Sequence, residues 1–110
     1  MDPERVDVPP GTLDLLILTI LKREPLHGYG ISKRLSRLTG NSFRLNPGSL
    51  SPALYRLEHD GKLAAVWRST ENKRRAKLYQ LTAAGRRHLA KEESRWDRVS
   101  LAIRSVLEGA

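Results

Sequence analysis

Apolar residues recur at helical spacing in two short segments near the start of the chain. The stretch TLDLLILTILKREP, which begins at residue 12, is apolar on nearly every face. This predicts a helix that is buried from more than one side and ends before Pro25. In the next segment Ile31, Leu35 and Leu38 repeat at i, i+4 and i+7, and Gly40 stands in the position of a helix stop. The patterns therefore indicate two consecutive short helices.

A third helix is predicted in FRLNPGSLSPALYRLEHDGKL, residues 43 to 63, where Leu50, Leu54 and Leu57 again fall at i, i+4 and i+7. We expect Ser49 to cap this helix, because Pro52 then lies in the first turn, where a missing N–H costs nothing. The opposite face carries small and polar residues near its start. The N-terminus of this helix can therefore approach another surface closely, and its unpaired N–H groups favour phosphate.

A two-stranded hairpin is predicted after the third helix. Val66 and Trp67 precede the polar stretch STENKRR, and Tyr79 and Leu81 follow it, which is the pattern of two strands joined by an extended tip. The hairpin has one acidic residue, Glu71, beside five cations: Arg68, Lys73, Arg74, Arg75 and Lys77. Such an excess of positive charge suits contact with phosphates.

The remainder of the chain, residues 83 to 110, predicts one long helix with Thr82 as its N-cap. Its apolar residues recur at spacings of seven, three, four and three, an a/d seam that Glu92 interrupts at one d position: Leu89, Trp96, Val99, Ile103 and Val106. One subunit of 110 residues cannot cover both this seam and the apolar first helix. We therefore expect two copies to associate through these two helices as a homodimer.

The charge of the chain points to a polyanionic partner. Lys and Arg total 20 against 12 Asp and Glu, a formal net charge of +8, and 110 residues suffice for one domain with a modest core. There is no cysteine, so disulfides and thiolate metal sites are excluded. No stretch has the pattern of a signal peptide or the ~20 apolar residues of a membrane span, so a cytoplasmic location is expected.

Candidate catalytic and metal-binding residues are sparse. The sequence contains no G-x-S-x-G elbow, no P-loop and no carboxylate pair in a recognisable setting, so we expect neither an enzyme nor a cofactor. His59 and His88 are far apart and have no HExxH or Cys partner, so no metal site is expected. Within LHGYG, Gly28 is interpreted as a permissive backbone position and Tyr29 as a core contact.

Three short helices followed by a basic hairpin form the winged helix-turn-helix arrangement. In this arrangement the third helix enters the major groove, and the hairpin, or wing, places cations against phosphates or in the minor groove. We predict a mainly α fold with a flexible N-terminal arm over residues 1–11, a DNA-binding domain over 12–82 and a dimerisation helix over 83–110. The alternative is a small basic nucleoid-type or RNA-binding protein without sequence specificity, which would bind random and palindromic duplexes equally.

Three segments of the chain resemble the PadR family of bacterial transcriptional regulators: LTILKREPLHGYGISKRL, NPGSLSPALYRLEHDGKL and RRAKLYQLTAAGRRHL. The single long helix after them is similar to the short-tailed branch of that family. The resemblance implies a homodimeric winged-helix repressor that binds inverted-repeat operators. It implies a recognition helix over residues 47 to 56 and a wing tip over 73 to 75, with Tyr79 and Leu81 on the wing's core-facing side. Ser51 departs from the Tyr that many members carry between the Leu and Pro of the recognition helix.

These arguments assign candidate residues to two surfaces. The seam position of Trp96 favours an anchor of the dimer interface, since a Trp buries a large area at little conformational cost. The resemblance implies a second role for Trp96, because some short-tailed members bind flat aromatic compounds between subunits, and a small planar aromatic effector is therefore a candidate partner. The candidate DNA-binding residues are Ser49, Ser51, Tyr55, Arg56, Arg68, Lys73, Arg74, Arg75 and Lys77.

Overall fold

The computed structural model describes residues 5–9, 11–69, 71–72 and 74–109. Within these ranges the elements follow the order β1 (Val6–Asp7), α1 (Leu13–Arg23), β2 (Leu26–His27), α2 (Gly28–Leu38), β3 (Phe43–Arg44), α3 (Pro47–His59), β4 (Leu63–Ser69), β5 (Arg75–Leu81) and α4 (Ala83–Gly109). The predicted mainly α fold is confirmed. None of these helices is both long enough and apolar enough to cross a membrane.

Helices α1 and α2 form where the apolar spacing predicts them. α1 packs against α2, α3, α4 and β5, because a helix that is apolar on nearly every face must be covered on several sides. Its buried residues are Ile17, Leu18, Ile20 and Leu21. α2 ends before Gly40, whose φ of 58° is a left-handed conformation that glycine adopts without strain.

Helix α3 begins earlier than the expected cap, so the assignment of Ser49 as N-cap is wrong. Asn46 is the N-cap, and its Oδ1 accepts a hydrogen bond from the Gly48 N–H at 2.9 Å. Asn caps helices as well as Ser does, and Pro47 suits the first helical position because its φ is already helical. Pro52 therefore lies inside the helix, where its missing N–H removes the i→i−4 hydrogen bond to the Gly48 carbonyl.

The predicted hairpin is confirmed as the antiparallel pair β4 and β5. Their register runs from Leu63 opposite Leu81 to Ser69 opposite Arg75. β2 also pairs with β5, so the sheet has three strands in the order β2-β5-β4. The sequence pattern missed β2, since a strand of two residues is too short to show alternation.

A second sheet pairs β1 with β3 in parallel. The Val6 N–H donates to the Ser42 carbonyl at 2.9 Å, and Arg44 Nε donates to Asp7 Oδ1 at 2.9 Å. Residues 6 and 7 belong to the segment expected to be a flexible arm, and they lie beside the strand that leads into α3. A pairing of two residues with two distant residues has no local sequence pattern, which is why it was not predicted.

The core lies among the first three helices, the base of the wing and the first turns of α4. Leu18 and Leu57 are completely buried. Thr82 caps α4 as predicted, and its Oγ1 accepts from the Gly85 N–H at 2.9 Å. Gly85 lets α4 approach the chain that enters β4, because a Cβ on this residue would lie 2.1 Å from the Lys62 carbonyl oxygen. The junction of α4 with the wing therefore requires glycine at this position.

Candidate nucleic-acid interface

Helix α3 turns away from the core a surface whose side chains are small in the first turns of the helix. Its buried face consists of Leu50, Ala53, Leu54 and Leu57. On the opposite face Tyr55 is 70% exposed, and its ring stacks on that of His59 with centroids 6.1 Å apart and 7° between the planes. Ser49 and Ser51 are exposed on the two flanks of this face. This face is the surface that the sequence predicts for base recognition.

Arg56 is held on the flank of α3 that faces α1. Its Nη1 and Nη2 each donate to a carboxylate oxygen of Asp14 at 2.8 Å. The hydrogen bond with Asp14 raises the pKa of Arg56 above its ordinary value, and partial burial acts in the opposite direction. A bidentate pair fixes the orientation of the guanidinium. Arg56 therefore joins α3 to α1 and presents less free charge than an unpaired arginine.

Lys77 joins α3 to the wing in a similar way. Its Nζ lies 2.6 Å from Glu58 Oε1 of α3. The same nitrogen lies 5.6 Å from the centroid of the Tyr79 ring and 5.8 Å from that of Trp67. The hydrogen bond with Glu58 raises the pKa of Lys77. Both ion pairs of α3 connect residues of different elements, so no local spacing in the sequence could have indicated them.

The remaining described cations of the wing have exposed side chains. Arg68, Arg74 and Arg75 are exposed. Arg75 places Cζ 5.1 Å from the centroid of the Trp67 ring, whereas Arg68, the next residue after Trp67, points to the opposite face of the hairpin because side chains alternate along a strand. Lys73 lies outside the described residues. The wing thus carries positive charge on both faces.

A cleft of about 650 Å³ lies between α2, α3 and the wing. Its floor includes leucines of the core. Its polar and aromatic lining consists of His27, Tyr29, Ser32, Ser51, Trp67, Lys77 and Tyr79. The cleft therefore brings a predicted base-reading residue, Ser51, beside a predicted wing residue, Lys77. It also contains three aromatic residues that were not among the predicted DNA-binding residues: Tyr29, Trp67 and Tyr79.

The expected core role of Tyr29 is wrong, because its side chain is 75% exposed. α2 turns Ile31 into the core, and a residue two positions earlier falls on nearly the opposite side of a helix. Lys33, one turn later, places its Nζ 5.5 Å from the centroid of the Tyr29 ring. Gly28 has no special backbone role either: its φ is not positive, and a Cβ there would meet Leu54 Cδ1 at 3.6 Å, an ordinary contact.

A model of the transcriptional regulator PadR-like family matches residues 17–91. The chain belongs to this family. A transcriptional regulator of Mycobacterium tuberculosis is 34% identical, over 76% of this chain and 72% of its own. A PadR family transcriptional regulator from Eggerthella lenta has a similar structure, with a TM-score of 0.78 and 33% identity over 91% of this chain and 85% of its own. A transcriptional regulator from Clostridium thermocellum matches with a TM-score of 0.80 and 26% identity, over 86% of this chain and 92% of its own.

The PadR family consists of DNA-binding transcriptional regulators and not of enzymes. The predicted family and the winged helix-turn-helix fold are therefore confirmed, and the protein is a PadR-family transcriptional regulator. In the winged-helix arrangement α3 is the third helix of the domain, and β4 and β5 form the wing.

Beyond the core, α4 of this PadR-family protein exposes a stripe of apolar side chains. Its exposed residues are Val99, Ile103, Val106 and Leu107. Leu101 is also exposed, but it lies on nearly the opposite side of the helix, because it is two positions away from both Val99 and Ile103. The a/d spacing did not include Leu107, although the step of four from Ile103 to Leu107 is a signal that the stripe is wider than a strict seam. Leu89 differs from the rest of the predicted seam, since it is only 2% exposed and belongs to the core of its own subunit.

Trp96 borders a groove of about 660 Å³ between α1 and α4. The α1 side of this groove includes Leu15, Leu16 and Thr19. The indole is 44% exposed, so part of its surface is available to a second subunit or to a ligand. The role of Trp96 as an interface anchor and its role in binding an effector therefore both stay predictions.

The described histidines do not form a metal centre. His59 stacks on Tyr55, and His88 Nε2 lies 3.4 Å from Glu92 Oε1 within α4. In the part of the chain that the structure describes, no three His, Cys, Asp or Glu side chains are grouped to hold a metal ion.

Proposed function

We propose that this regulator is a homodimeric repressor that binds an inverted-repeat operator. The observation that carries the proposal is the exposed face of α3, which carries Ser49, Ser51 and Tyr55, with the exposed arginines of the wing beside it. A helix in the major groove supplies the base contacts that give specificity, whereas cations on phosphates supply position and affinity. One subunit carries both kinds of surface, so each subunit can bind one half-site.

Base recognition is assigned to Ser49, Ser51 and Tyr55. Their side chains are exposed, and each hydroxyl can donate or accept a hydrogen bond at a base edge. Arg56 belongs to the same proposed surface, but two of its five N–H donors are bonded to Asp14, and this pair fixes the orientation of the guanidinium. We therefore expect Tyr55 to contribute more to specificity than Arg56.

Phosphate contact is assigned to the wing, through Arg68, Arg74 and Arg75 together with Lys73 and Lys77. The charge of Lys77 is engaged by Glu58, with Nζ 2.6 Å from the carboxylate Oε1. Arginines form strong charge-assisted hydrogen bonds with phosphate, and those of the wing are exposed, so we expect them to contribute the larger share of the affinity.

Dimerisation is assigned to the apolar stripe of α4. Covering a Val, Leu or Ile side chain stabilises an assembly by about 1.5–3 kcal/mol, and the stripe presents several of them on one face. A two-fold dimer pairs the same stripe of both subunits and gives the recognition helices a two-fold relation. An operator that binds such a dimer is an inverted repeat.

The experiment that tests the proposal is selection of bound fragments from a random duplex library. A consensus with two-fold symmetry is the expected result, since it reports both specificity and dimerisation. Equal affinity for selected and random duplexes would favour the alternative, a nucleoid-type or RNA-binding protein. Repression is tested by transcription in a cell-free system from a promoter that contains the selected site, where added protein lowers transcript yield. A rise in yield would identify an activator instead.

Trp96 is proposed as an anchor of the interface, with a planar aromatic effector as the alternative occupant of its groove. The variant Trp67→Phe leaves Trp96 as the single tryptophan, so its fluorescence isolates the groove. Titration with planar cationic and neutral dyes distinguishes the two roles. A saturable change in fluorescence that also lowers operator affinity supports an effector site, and a flat response to the whole panel leaves Trp96 as an anchor.

A further inference from the structure

The cleft between α2, α3 and the wing lies where the proposed mode of DNA binding requires a sugar-phosphate strand. With α3 in the major groove and the wing at the adjacent minor groove, the two elements stand on opposite sides of the one strand that separates these grooves. That strand must cross the cleft between them. This path of the strand rests on the proposed function, because the proposed function supplies the orientation of α3 and the wing on the duplex.

The surroundings of the cleft suit a chain of phosphates. No acidic side chain is among the described residues that line it. Cations lie against two aromatic rings of the cleft. The ring of Tyr29 has Lys33 against it, and the ring of Trp67 has Lys77 and Arg75. The carboxylate paired with these cations is Glu58, which engages Lys77. Lys33 and Arg75 therefore leave an excess of positive charge beside the cleft, which favours a polyanion.

We propose that Tyr29 and Lys33 of α2 bind the phosphate strand that crosses this cleft. Tyr29 is exposed without packing into the core, and its phenol group is a donor of the kind that binds phosphate oxygens. Lys33 lies against the Tyr29 ring, so the hydroxyl and the ammonium group reach the same region. Both are positioning residues, which set the affinity and the register of the duplex but do not distinguish its bases.

The test compares Tyr29→Phe and Lys33→Gln with the wild-type protein on a selected operator and on a random duplex. Tyr29→Phe removes one hydroxyl from an exposed ring, so it keeps the fold and is expected to lower affinity about tenfold on both duplexes. Lys33→Gln is expected to reduce the slope of log affinity against log salt by about 0.9, the value for one phosphate that a cation neutralises. The ratio of operator to random affinity stays as in the wild type for both variants.

Lys91→Gln is the matched control for Lys33→Gln, since Lys91 is an exposed lysine on α4 and its replacement changes the net charge equally. It is expected to leave the salt slope unchanged. Duplexes with a single neutral methylphosphonate then locate the contact. We expect a methylphosphonate at one position, between the major-groove and minor-groove contacts, to weaken binding of the wild-type protein. At the same position it has no further effect on binding of the Tyr29→Phe/Lys33→Gln double variant.

Two results overturn the inference. In one, the variants bind as the wild type does; in the other, the methylphosphonate and the substitutions have independent effects at every position. Either result leaves the proposed function intact if the wild-type protein still prefers its operator. Failure of the proposed function has a different signature, since the wild-type protein itself would then bind operator and random duplex equally.

Discussion

The apolar residues of the winged-helix body and those at the end of α4 have opposite surroundings. In the body, Leu18 and Leu57 have no exposed surface, whereas Val106 and Leu107 at the end of α4 are each 68% exposed. The body therefore completes its own core, and the second half of α4 does not. This difference means that the two regions are stabilised separately: the body by contacts within one subunit, and the end of α4 by a second copy in the proposed dimer.

The largest effect is expected from a change that disrupts the body. Gly85→Ala places a Cβ against the Lys62 backbone carbonyl oxygen, which cannot move aside as a flexible side chain can. We expect the free energy of unfolding to fall by about 3 kcal/mol, measured by urea denaturation followed by circular dichroism. Gly109→Ala is the matched control, because a Cβ there meets no atom within 4 Å. Equal stability of the two variants would show that the body tolerates a looser junction with α4.

The next largest effect is expected from a change in the apolar stripe at the end of α4, which alters dimerisation and leaves the body folded. Ile103→Asp with Val106→Asp introduces two charges into the apolar stripe, so sedimentation is expected to report a mass near 12.4 kDa in place of twice that value. The body keeps its helical circular dichroism, and operator affinity falls about 100-fold or more, because one half-site replaces two.

The control for this change is Arg104→Ala, which lies next to the stripe and carries an exposed side chain. It is expected to leave the mass of the dimer unchanged. A monomeric wild-type protein at micromolar concentration would contradict the comparison itself, since the exposed stripe would then have no partner.

A smaller effect is expected from the wing, where DNA contact is independent of dimerisation. Arg74→Ala with Arg75→Ala should weaken binding to all duplexes and lower the salt slope by about 0.9 for each phosphate that these arginines neutralise. Sedimentation of this variant should match that of the wild-type protein. A wing variant that became monomeric would show that the two regions are coupled.

The smallest effect is expected from the outward face of α3. Tyr55→Ala should weaken operator binding by about 1–3 kcal/mol for each base that the tyrosine recognises, and it should leave random duplex binding unchanged. Filter binding on both duplexes measures the difference. Equal reductions on the two duplexes would indicate that α3 docks on phosphates and does not distinguish bases.

The elements whose signals are local could be predicted from the amino-acid sequence. Leu50, Leu54 and Leu57 mark the buried face of α3 by their spacing, and the alternation around STENKRR marks the wing. The cap of α4 at Thr82 and the stop of α2 at Gly40 are also local, because a cap or a left-handed turn depends on a few neighbouring residues. The predicted start of α3 was wrong because Asn46 and Ser49 are both good caps, and spacing alone does not choose between them.

The side chains that face each other across elements were decided by the tertiary structure alone. The bonds of Arg56 with Asp14 and of Lys77 with Glu58 join α3 to α1 and to the wing, in addition to the DNA contacts predicted for these two cations. Burial of Leu89 removes it from the exposed seam, and exposure of Tyr29 places it at the cleft. These outcomes depend on how the helices pack against each other and against the wing. The spacing of apolar residues along one segment indicates whether that segment is a helix or a strand and which of its faces is buried. It does not indicate which other element packs against that face.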